Sequence, residues 1–173
     1  MNLDKKSLWT VFLISFFLTI WMPTILPQLR LYFFAPYLII LLYKRPLIRC
    51  LWGALACGLI IDLLSSYHHL GLHAVNYVLT IAVLYQQRRH FFADSPTTLP
   101  IMVYLFSVIS TIIQVPLLFV FEQKLPMTAD WIRTDLLLMP LLDATYAFSL
   151  YILPFWIFGK RRLRGKDYFT DQE

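Results

Sequence analysis

The sequence predicts an all-α, polytopic membrane protein, with six transmembrane helices in a single integral membrane domain covering residues 1–173. Three observations carry that reading. Apolar residues make up 59% of the chain and charged residues only 14%, against about 25% charged in an ordinary soluble domain. Mean hydropathy is +0.65, more apolar surface than a soluble globule of this size can bury. Apolar runs also recur at lengths near the ~20 residues that cross a hydrocarbon core of ~30 Å. The same figures exclude a secreted disulfide scaffold, a disordered chain and an ordinary cytosolic enzyme.

The first span, residues 7–22, follows Lys5 and Lys6 and is closed by Trp21 and the pair Pro23 and Pro27. No small-x-small cleavage site follows it, so an uncleaved helix is expected. The second span, residues 28–43, is short, and Arg30 must snorkel to an interface at its start. The third, residues 46–64, opens on Pro46, a good first-turn residue. The fourth covers residues 70–87. The fifth, residues 97–121, carries Pro116 as an expected kink, and the sixth, residues 134–158, contains Pro140 and Pro154.

Basic residues test this division. One side receives Lys5 and Lys6, then Lys44, Arg45 and Arg49, then Arg88 and Arg89, then five in the tail at Lys160, Arg161, Arg162, Arg164 and Lys166. That is 12 of the 15; only Arg30, Lys124 and Arg133 fall on the other. Strict alternation predicts six spans with both termini in the cytoplasm. It also accounts for a pI of about 9.3 without nucleic acid. The tail serves as a topology anchor, with anionic lipid as a second use. Tryptophans near the span ends fit an interfacial belt.

Two intramembrane carboxylates stand out. Ala54, Gly58 and Asp62 recur every four residues and share one helix face. Ala54-x-x-x-Gly58 is a small-x-x-x-small pattern that admits another helix closely, so this stripe is a candidate packing or partner face. Asp62 then faces protein, where an ionised carboxylate needs partners. One reading is a proton, ion or substrate site. The favoured one is an acceptor for backbone amides of the turn 65–71, fixing that hairpin together with Gly71. Asp143 raises the same question in span six. Asp135 lies nearer the interface and is expected to be solvated. Catalysis by an Asp62–Asp143 pair is not expected.

His69 and His73 have the four-residue spacing of a metal site, but no His-Glu-x-x-His motif accompanies them, and interfacial histidines are the expectation. Cys50 and Cys57 would be about 10 Å apart on one helix, too far for a disulfide, and read as small buried residues. Asn76 and Gln114 are expected to make helix–helix hydrogen bonds. No cofactor motif is present: the chain has no Walker loop, dinucleotide fingerprint or serine elbow.

The stretch 34–87 reads Ala35-Pro36, an apolar span ending Leu42-Tyr43, a basic connector, then Gly58-Leu59-Ile60-Ile61-Asp62-Leu63-Leu64 and Leu70-Gly71-Leu72-His73-Ala74. It resembles the rod shape-determining protein MreD family, whose members are short, basic at the cytoplasmic side, and carry Gly-x-x-x-Asp-Leu followed by Leu-Gly-x-x-Ala. The motifs cover about a third of the chain. The resemblance implies a fold similar to the substrate-binding S components of energy-coupling-factor transporters, with Pro36, Gly58, Asp62 and Gly71 in structural roles. It implies a non-enzymatic scaffold of bacterial cell-wall elongation in the inner membrane. There it would bind an MreC-like bitopic protein, and with it MreB, a RodA-type glycosyltransferase and a class B penicillin-binding protein. The rival is a small transporter or S-component-like substrate binder, which needs convergent polar groups in the bundle.

Overall fold

The computed structural model describes residues 8–25, 31–65, 70–87, 98–122 and 132–153. All of its regular structure is helical: α1 (Leu8–Ile25), α2 (Ala35–Lys44), α3 (Leu47–Leu64), α4 (Leu72–Gln87), α5 (Thr98–Glu122), and α6 (Met139–Tyr151), entered through a π-helical turn, Ile132–Leu138. Lys5, Lys6, Arg30, His69, Arg88, Arg89, Lys124 and the basic tail 160–166 lie outside the described residues.

Prolines set the breaks. Arg45 is extended, as a residue before proline must be, and Pro46 serves as the N-cap of α3. Pro36 opens α2, in the first turn where its missing N–H costs nothing. Pro116 sits inside α5, which continues through it to Glu122. Pro140 has no N–H for the carbonyl four residues earlier, and its ring crowds that carbonyl. The turn ahead of it is correspondingly wound as a wider π-helix.

Span two departs from expectation. Among the described residues of this span, helix begins only at Ala35: Leu31–Phe34 form a non-helical approach and turn, and α2 has only ten residues. Ten residues rise about 15 Å, half of a hydrocarbon core. Ala35, Pro36, Leu38, Ile39, Ile40, Leu41 and Leu42 are all buried, so α2 is enclosed by its neighbours, chiefly α5, α1 and α3. The last span begins its α-helix at Met139 rather than 134.

α3 and α4 form the most extensive helix pair, followed by α5 with α6 and α4 with α5. The core between them is apolar: Phe34, Leu38, Ile39, Tyr77, Ile81, Leu84, Leu99, Met102 and Phe106 are fully enclosed. Large apolar side chains also point outward from every helix except α2. Trp9 is 76% exposed, Leu63 75% and Val120 73%. Water solvates such a surface poorly, and hydrocarbon solvates it well. Two helical segments, Leu47–Leu64 and Thr98–Val120, are long and apolar enough to cross a membrane, while Leu8–Met22 and Ala35–Lys44 are apolar but shorter.

Candidate functional site

The motif residues of α3 and α4 meet at one joint. α4 begins after Gly71, whose carbonyl accepts the first helical hydrogen bond from the Val75 N–H at 2.9 Å. Gly71 is thus the N-cap, held at φ +98°, a backbone conformation that a side chain disfavours. A glycine N-cap brings no acceptor of its own for the unpaired amides of the first turn. Asp62 supplies it from the neighbouring helix. Oδ2 accepts the N–H groups of Gly71 at 3.0 Å and Ala74 at 3.1 Å. Oδ1 accepts the N–H of His73 at 3.1 Å and stands 2.8 Å from the His73 ring Nδ1. Asp62 is 4% exposed, and its negative charge sits at the positive end of the α4 dipole.

Gly58 lies one turn before Asp62 on the same face and makes the approach possible. A Cβ there would fall 2.4 Å from Ala74 Cα and 2.7 Å from both the Ala74 N and the His73 O. Ala54, one turn earlier again, is fully buried. The small-residue stripe therefore seats α4 of the same chain. Of the packing and partner uses expected for the stripe, the packing use is seen at Gly58, where α4 covers the face. Gly53 differs, because a Cβ there would meet only the end of the Leu41 side chain.

Asp143, fully buried on α6, holds the other irregular place in the fold. Its Oδ1 accepts the backbone N–H of Tyr32 at 2.9 Å, in the non-helical approach to α2. Its Oδ2 accepts the Ser107 hydroxyl at 2.7 Å. Backbone away from helix inside a bundle needs such a partner. Asp62 and Asp143 thus serve two different joints.

Ser107 belongs to a polar face on α5. Ser107, Ser110, Thr111 and Gln114 are all buried and spaced as one helical stripe. Ser110 Oγ accepts the Asn76 amide at 2.9 Å, and Gln114 Oε1 accepts the Tyr32 hydroxyl at 3.2 Å. Asn76 joins two helices, as its type suggests, whereas Gln114 ties α5 to the non-helical approach to α2. Residue type alone does not single out Ser107, Ser110 or Tyr32; the i, i+3, i+4, i+7 spacing of the α5 group is the signal that could find its part.

Among the described residues no group of three or more His, Cys, Asp or Glu side chains is placed to hold a metal. Cys50 and Cys57 are buried, and the Cys50 thiol is directed at the Leu41 carbonyl, 3.4 Å away. Asp135 is half-buried in the π-helical turn, less open to solvent than expected. Chemically, both buried carboxylates act here as acceptors for backbone amides of another segment. Comparison of the chain with family models, curated proteins and solved structures found no match.

Proposed function

We propose that this chain is a multi-pass scaffold of the bacterial cytoplasmic membrane that acts in cell-wall elongation, in the manner of the MreD proteins it resembles. One observation carries the reading. The residues behind the resemblance, Gly58, Asp62, Gly71 and Ala74, converge on a single joint, where each has a structural task. Residues used in this way fix a shape for others to recognise. The outward apolar faces of α1, α3, α4, α5 and α6 suit contact with lipid and with partner helices.

In this proposal the chain crosses the membrane six times with both ends in the cytoplasm, following the twelve-to-three division of its basic residues. Ten-residue α2 then enters the bilayer as a half-helix enclosed by protein, a setting in which non-helical backbone is tolerated at that depth. Reporter fusions check the topology. Fusions after Glu173 and within residues 88–93 should read cytoplasmic, and one within residues 123–128 should read external. A cytoplasmic signal from 123–128 would exclude six spans.

The partner is an MreC-like single-span protein, through which MreB, a RodA-type glycosyltransferase and a class B penicillin-binding protein are reached. Contact would run through outer helix faces, since α4 covers the Gly58 stripe. Co-purification in mild detergent tests this, and the complex should persist at high salt because the contact is largely uncharged. A second reading, an S-component-like substrate binder, draws on the polar stripe of α5 beside Asp143 and Asn76. It takes precedence if no MreC-like protein is retained and a small molecule instead raises the melting temperature.

A further inference from the structure

We propose that the outer face of α3 at its basic end is a binding site for one anionic phospholipid. The inference rests on the membrane reading above and goes beyond the scaffold role. Ile48, Leu51, Trp52 and Leu55 of α3, with Val78 of α4, line an open groove of about 160 Å³. Its walls are apolar, and Ile48 and Trp52 are 70% and 67% exposed, so the chain itself does not cover it.

Charge stands at one end only. Arg49 lies one residue from Ile48 and one turn from Trp52, and Arg45 immediately precedes Pro46, the N-cap of α3. Both arginines are exposed, and Lys44 closes α2 beside them. From Arg49 to Leu55 the helix rises about 9 Å, within the ~15 Å depth of a single leaflet. An occupant must therefore be negative at one end and apolar over the next turns, within one leaflet. A phospholipid with an anionic headgroup has that form: its phosphate meets the two guanidinium groups and an acyl chain lies along Trp52 and Leu55.

Trp52 supplies the probe. A variant with Trp9, Trp21, Trp131 and Trp156 changed to Phe keeps Trp52 as its sole tryptophan. It is reconstituted in phosphatidylcholine vesicles containing increasing mole fractions of brominated phosphatidylglycerol or brominated phosphatidylcholine. Half-maximal quenching should need about 25-fold less of the glycerol lipid, about fivefold for each of the two arginines near the surface. Arg45→Gln with Arg49→Gln should bring the two curves together, each single change moving them by about fivefold. The single variants serve if the double one does not fold. Arg133→Gln should leave the preference intact. Coincident curves before any arginine change, or a preference that survives the double change, would overturn the site. So would absence of quenching by either lipid, which would mean that a protein fills the groove. Alkaline carbonate extraction separates this failure from that of the membrane reading: protein stripped from membranes overturns both, whereas retained protein with coincident curves overturns the lipid site alone.

Discussion

Changing Asp62 to leucine should prevent the α3–α4 hairpin from forming. The substitution leaves the N–H groups of Gly71 and His73, part-buried, and of Ala74, buried, without their acceptor. Each unpaired group costs about 1–3 kcal/mol, so the sum is comparable to the whole stability of many domains. The expected result is loss of a monodisperse species in detergent and little protein in the membrane fraction. Asp62→Asn should be intermediate. Its one carbonyl oxygen can keep the Gly71 and Ala74 amides, while its NH₂ group, a donor, confronts the His73 N–H. Expression level and melting temperature should rank wild type above Asn and Asn above Leu. An Asn variant as stable as wild type but inactive in a shape-complementation assay would assign Asp62 a role in function beyond its structural one.

Gly58→Ala should be nearly as damaging as Gly58→Leu, an unusual expectation for a single methyl group. The added carbon would stand 2.4 Å from a backbone atom of α4, which cannot rotate away as a side chain does. The helices must separate, and with them the three amides that Asp62 accepts. Overpacking of this kind costs typically 1–3 kcal/mol, here added to the lost hydrogen bonds. Gly53→Ala is the control. Its new methyl meets Leu41 Cδ2, the tip of a flexible side chain, and should lower the melting temperature by at most a few degrees. Equal melting temperatures for Gly58→Ala and Gly53→Ala would refute the close seating of α4.

These residues also mark how far the sequence could be read. Asp62 and Gly71 were legible because a short turn separates them, so a buried carboxylate at the end of one helix has few places to look. Two of its partners, His73 and Ala74, nevertheless lie past the turn, in the first turn of α4. Ala54 and Gly58 announced a close helix contact but not whose helix, since a small-residue pattern is the same for an internal neighbour and a foreign one. The second span reads as short in the sequence, but its non-helical entry is hidden. Leu31, Tyr32, Phe33 and Phe34 are apolar and read as more helix by hydropathy. Pro36 is a local sign of the break, since its ring disfavours helix through Tyr32, but the acceptor that pairs the freed Tyr32 amide is Asp143, 111 positions away, and local pattern carries no sign of that.

That long reach gives the chain a timetable. The Tyr32 amide emerges early in synthesis, and the carboxylate that accepts it follows 111 residues later. At about 5–20 residues per second, the interval is roughly 6–22 s. For that time the entry to α2 must lean on water, headgroups or a helper protein, because its own acceptor has not been made. The last described helix is therefore the one that closes the structure begun by the second.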